Sequence, residues 1–294
     1  SETIDSVFSF CVNIKDLLDH DLDGFDSLVL KYSDDISSLS SLTRLKTLHL
    51  AGAHINDITP IATLTELREL NLYRNDIRDI SALESLTQLT DRLSLGVNQI
   101  SDLSPLSSLI NLSKLDLNDN KIKDISALEF LTGLVELNLA GCTPIRCERG
   151  GQNDDKTLGI HQISDISVLK SLTNLESLIL QGNEITDISH LEPLTNLTRL
   201  HLSYNQISDI SSLEHLYKLT QLYLNNNLIA DISPLVSNTG MVGDSKEGAT
   251  VAGPRVALDH NSLDLSNESQ TLKDFRILRD RGVLVTVGGT KLTP

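Results

Sequence analysis

The sequence predicts an α/β solenoid: a right-handed superhelix with a parallel β-sheet on its concave face and 3₁₀ or extended returns on its convex face. Three observations lead there. Leucine dominates the apolar residues of this 294-residue chain, while Trp is absent and Met occurs once. One phrase recurs, typified by LRELNLYRNDIRDISALESLTQ from Leu67 to Gln88. Comparable units begin at Phe25, Leu45, Leu67, Leu89, Leu112, Leu134, Leu175, Leu197 and Leu219, most of them 22 residues apart. A biased apolar set repeating at a short fixed period is the mark of stacked units that cannot bury their apolar faces alone.

Each part of the phrase has a physical role. In its L-x-L, alternate residues point to opposite faces, so the leucines turn inward and their neighbours outward. The Asn that follows recurs as Asn75, Asn98, Asn120, Asn183, Asn205, Asn227 and Asn261. There the chain turns inward and leaves backbone groups without strand partners. An amide that both donates and accepts can bond the neighbouring coil. Ile-x-Asp-Ile-Ser then opens the return, where Ser and Asp suit turns and short-helix starts. A 22-residue coil is too short for a long return helix, which favours 3₁₀ or extended returns.

The phrase's Asp recurs from Asp35 to Asp231, nine times, and supplies over half of the net charge of −16. Much of the acidity is therefore a by-product of the repeat. Such a charge repels nucleic acid and anionic membranes. No apolar run approaches the ~18 residues of a membrane span.

A period of 22 lies within the leucine-rich-repeat range of about 20–29 residues. From Phe25 to Pro294 the chain resembles the internalin-type class, with bacterial, short leucine-rich repeats. The tail, VALDHNSLDLSNESQTLKDFRILRDRGVLVTV, is similar to the closing segment of bacterial members. The resemblance implies a secreted or surface-exposed protein that binds other proteins through its concave face.

Three places depart from the pattern. The Leu89 unit carries one extra residue near Asp91 and Arg92, which reads as a bulge. The Leu134 unit runs 41 residues, with a polar, Gly-rich insert at about residues 143–160. A Gly-rich stretch from Ser237 to Pro254 interrupts the last coil. Both ends of a solenoid need caps. Ile4, Val7, Phe8, Cys11 and Leu18 predict a capping helix over Ser6 to Leu18, and Leu272, Phe275, Ile277 and Leu278 a second over Thr271 to Arg281, stopped by Gly282. Val283 to Val287 reads as a final strand. The organisation expected is a helical cap over 1–24, repeats over 25–236, and an interrupted repeat with cap over 237–294.

Asp19, Asp21, Asp23 and Gly24 match the opening of a calcium loop, with carboxylates at alternate positions around a hard cation. Position twelve is Leu30, where a bidentate Glu is needed. The alternative is an acidic turn, and no other cofactor is expected. Cys142 and Cys147 either form a disulfide pinning the insert or are a buried thiol replacing an Asn and a free loop Cys. His161 and Asp154 lie near them without paired zinc-ligand spacing. The chain has no Gly-rich phosphate loop, G-x-S-x-G or H-E-x-x-H, so no catalytic residues are expected.

Binding is expected on the outward strand positions and the residues just after them. Four of the five Tyr fall there, at Tyr32, Tyr73, Tyr204 and Tyr223. Tyr and Arg are enriched at interface hot spots, although β-propensity alone also places Tyr on strands. The candidate partner-binding residues are Tyr73, Arg74, Ile179, Arg199, His201, Tyr204, Tyr223 and Asn225. The expected partner is a protein, glycan-bearing or not, bound by a monomer at or outside the cell surface. The competing readings are an intracellular scaffold similar to leucine-rich phosphatase regulators, and a repeat domain of a larger enzyme or receptor.

Overall fold

The leucines of each coil set its place in the stack. The structure, a computed structural model, describes residues 9–10, 26–30, 35–141, 162–242, 254–288 and 290–292. Among these residues the strands form one sheet in chain order. They are β1 (Ser9–Phe10), β2 (Ser27–Leu30), β3 (Thr47–His49), β4 (Glu69–Asn71), β5 (Arg92–Ser94), β6 (Lys114–Asp116), β7 (Glu136–Asn138), β8 (Ser177–Ile179), β9 (Arg199–His201), β10 (Gln221–Tyr223), β11 (Arg255–Ala257), β12 (Leu284–Val287) and β13 (Thr290–Leu292). Neighbours pair parallel up to β12, and β13 turns back antiparallel. The register aligns Leu48, Leu70, Leu93, Leu115, Leu137, Leu178, Leu200 and Leu222 across the sheet. None of these eight is more than 2% exposed, so the core is one long column of inward side chains.

The Asn ladder bonds as the sequence predicts. Asn75 is typical: its Oδ1 accepts from the N–H groups of Ala53 and Ile55 in the preceding coil. Its Nδ2 donates to the carbonyls of Leu50 and Leu72. Among the described residues eight returns are 3₁₀ segments, from Ser37–Ser41 to Ser211–His215. The repeat's Asp opens each of them by accepting from the N–H two residues on, as Asp57 does from Thr59 and Asp187 from Ser189. These bonds to the ionised form hold the carboxyls of Asp57 and Asp187 below the usual carboxylate range.

The extra residue of the Leu89 unit is taken up as a bulge before β5: Thr47 pairs with Glu69, 22 residues on, but Glu69 pairs with Arg92, 23 on, so the ladder keeps its register. On either side of the insert the coil geometry is regular. Leu139 donates to Ile179 O, Gln162 to Ile122 O, and Ile163 to Asn183 Oδ1.

Three details differ from the sequence expectation. Within the predicted N-terminal helix, residues 9 and 10 form β1 instead, because the edge of β2 offers unpaired backbone groups that a strand satisfies. The rest of that segment lies outside the described residues. The last return is an α-helix, α1 (Ser233–Ser237), closed by Asn238 N–H bonding Pro234 O. In the C-terminal cap helix, α2 (Gln270–Asp280), Phe275 and Leu278 are buried but Ile277 points out. Ser269 caps α2, Gly282 ends it in a left-handed turn, and Arg281 reaches back to the Val236 carbonyl at the end of α1.

Beside that clasp, a Cβ on Gly240 would lie 2.0 Å from the backbone oxygen of Tyr217, which cannot swing aside. Gly240→Ala is therefore expected to destabilise the protein by about 1–3 kcal/mol through overpacking. A thermal melt of the variant, read against wild type, checks this.

Candidate functional site

Outward residues of β4 to β10 stand in columns across the concave face, and the columns change character along the stack. At β4 and β5 the face is closed. The Tyr73 ring lies over Gly96, where an added Cβ would be 3.1 Å from the ring and 2.2 Å from Asn118 Oδ1. Asn118 is itself buried and donates to Asp119. Arg74 is exposed beyond this plug.

The middle of the face is charged. Glu136 on β7 accepts from Lys114 on β6 at 2.7 Å and lies 3.7 Å from Arg92 on β5. Burial pushes the Asp116 carboxyl above its usual range, against the opposing pull of the Asn118 N–H and of Arg92. A concavity of about 120 Å³ opens here, walled by these four residues and reaching Ser177, Ile179 and Arg199. Arg92, Lys114, Asp116 and Glu136 are outward in the sequence pattern but not marked there as binding residues. The signal is two cations followed by an acid, Arg92, Lys114 and Glu136, at one strand position of consecutive coils.

Beyond it the face turns apolar. Ile179, His201 and Tyr223 occupy the same position on β8, β9 and β10 and are direct cross-strand neighbours. The His201 and Tyr223 rings lie 4.8 Å apart, tilted by 48°. Burial lowers His201 to about 4, so its ring is uncharged at neutral pH and belongs with the apolar patch. The two ends of the strands carry the polar rim. Arg199 Nε donates to Gln221, and Asn225 Oδ1 accepts from the Asp259 N–H. Tyr204 turns the chain out of β9 with φ +59°, a position that Gly182 and Asn226 occupy in the flanking coils.

Of the candidate partner-binding residues, Ile179, Arg199, His201, Tyr204, Tyr223 and Asn225 are therefore gathered on three adjacent coils. Tyr73 and Arg74 sit apart, on the coil of β4. Asp19, Asp21, Asp23, Cys142, Cys147, Asp154, His161 and Tyr32 lie outside the described residues. Among the described residues no group of three or more His, Cys, Asp or Glu is placed to hold a metal ion, and no helix is long and apolar enough to cross a membrane.

The state of His201 has a measurable consequence. The unfolded chain takes up the proton near pH 6.5, the folded one only near pH 4. The stability tied to the neutral ring is whole above about 6.5 and is lost as the pH falls towards 4. Asp116, shifted upward, works in the opposite sense over its own range. His201→Gln should therefore show a smaller fall in melting temperature between about pH 7.5 and pH 4.5 than wild type, because the Asp116 contribution is common to both.

The coil geometry defines a leucine-rich-repeat solenoid, a fold typical of protein-interaction modules. Leucine-rich-repeat models match residues 65–108, 91–129, 110–148 and 195–237 as paired copies and 171–188 as a single one. An internalin C2 (inlC2) from Listeria monocytogenes is 32% identical, over 68% of this chain and 80% of that one, with a TM-score of 0.59. An internalin (inlF) from the same organism is 29% identical over 88% of this chain and 73% of that one, with a TM-score of 0.64. The ectodomain of the plant receptor kinase GASSHO1/SCHENGEN3 from Arabidopsis thaliana shares the fold at 19% identity, over 90% of this chain and 30% of that one, with a TM-score of 0.64. Comparison with curated proteins gives no match. The chain belongs to the internalin-type leucine-rich-repeat family.

Proposed function

We propose that this chain is a non-enzymatic module that binds a protein partner through the concave face, as a monomer at or outside the cell surface. The observation that carries the reading is the alignment of Ile179, His201 and Tyr223 across three paired strands, an apolar strip bordered by Arg199 and Tyr204. Aromatic and Arg side chains in a partly enclosed setting are the usual anchors of protein interfaces. An uncharged His201 spares the strip the cost of desolvating a charge on binding. The surface-exposed setting follows the internalin neighbours, and a non-catalytic role follows the fold.

Partner capture from surface extracts, identified by mass spectrometry, tests the reading when run with wild type, Tyr223→Ala and the convex-side control Lys170→Ala. A partner retained by Tyr223→Ala and lost by Lys170→Ala would count against the concave face.

A further inference from the structure

We propose that the concavity between β5 and β9 is an anchor for one acidic side chain, aspartate or glutamate, of the protein partner. This rests on the concave-face reading and names the chemistry that face selects.

The charge pattern is the first ground. The chain carries −16, but the strand residues of β3 to β11 include Arg92, Lys114, Arg199 and Arg255 against Glu69, Asp116 and Glu136, a balance of +1. An acidic segment is repelled by the Asp-lined returns and admitted only at the sheet, which orients its approach. The pairing inside the concavity is the second ground. Glu136 is held by Lys114 at 2.7 Å and by Arg92 at 3.7 Å, and Asp116 faces Arg92. Among the described residues Arg199 is the cation of the concavity left over: it is exposed, and its one bond there is from Nε to the neutral Gln221. The terminal nitrogens of a guanidinium form a planar fork that matches the two oxygens of a carboxylate.

The size of the site and its charge narrow the ligand further. Three cations against two acids leave one positive charge, enough for a carboxylate and too little for a dianionic phosphate. About 120 Å³ is well below the roughly 300–1,000 Å³ of small-molecule sites, so the concavity fits one protruding side chain rather than a whole free ligand. Ile179 forms part of both the concavity and the apolar strip, so an acidic residue flanked by apolar ones would fill both.

The test needs no knowledge of the partner. Three probes are titrated into the full chain and followed by NMR: a capped Ala-Glu-Ala tripeptide, its Ala-Gln-Ala counterpart, and glucuronate. The glutamate peptide is expected to shift the Arg199 Nε–H and the amides of Ser177 and Ile179 saturably, with the glutamine peptide inert. Arg199→Gln, checked to melt like wild type, should weaken the effect about tenfold or more, as for lost charge-assisted bonds. Arg255→Gln, outside the concavity, should leave it unchanged. Equal shifts from both peptides, or shifts undiminished in Arg199→Gln, overturn the anchor. Shifts from glucuronate alone overturn its protein origin in favour of a glycan carboxylate. If the peptide is silent while Tyr223→Ala still loses the partner, the anchor falls and the concave-face reading stands.

Discussion

Asn120→Ala is expected to lower the folding stability by at least about 3 kcal/mol, a large share of the 5–15 kcal/mol typical of a folded domain. Asn120 is fully buried. Its Nδ2 donates to the carbonyls of Leu95 and Leu117, and its Oδ1 accepts from the Ile100 N–H, at 2.9–3.0 Å. Alanine leaves these three main-chain groups buried without that partner, at about 1–3 kcal/mol each. A leucine there would fare no better, since it restores volume but no hydrogen bonds. By contrast, removing the exposed Asp124 carboxylate, which accepts from the Ser126 N–H, should cost far less. Denaturant unfolding of Asn120→Ala beside Asp124→Ala checks the order, and equal losses would show that the ladder is not what holds the coils in register.

Tyr223→Ala carries the largest expected effect on binding. The ring is partly buried against His201, in line with Ile179, and hot-spot aromatics typically cost at least ~2 kcal/mol when truncated, a ~30-fold loss of affinity. Tyr204→Gly separates contact from folding more cleanly. Glycine relieves the positive φ, so the melting temperature should hold or rise while affinity falls. Movement of the two quantities in opposite directions cannot come from lost structure. Affinity at the wild-type level in both variants would remove this strip from the interface.

The repeat made the coils legible before any coordinates. Inward leucines, the bonding of Asn75 and its equivalents, the Asp-opened returns and the bulge at Asp91 all follow from local rules that each coil obeys alone or with one neighbour. The ends were harder to read. Ser9 and Phe10 have helical spacing around them, but the open edge of β2 decides their conformation. Ile277 is apolar, yet it lies off the face of α2 that buries Thr271, Asp274, Phe275 and Leu278. Site residues were half legible for a similar reason. Facing direction follows from the period, so every outward residue could be named. Which outward residues act together depends on register between coils: Glu136 meets Lys114 and Arg92, while Tyr73 is spent covering Gly96. No single coil contains that information.

The parallel sheet also fixes how the molecule bears load. Its ladder hydrogen bonds run along the stack, from each coil to the next, so tension on the two ends of the solenoid loads one interface at a time, like a peeled strip rather than a sheared joint. From the C-terminal end the β12–β13 pairing is met first, and the clasp from Arg281 to Val236 lies behind it. Each 22-residue coil that then leaves the stack releases up to roughly 70–80 Å of chain. A molecule held at one end and pulled at the other would lengthen in steps, even for the 22-residue coils and longer for the two that carry insertions, while the coils still stacked keep their concave face intact.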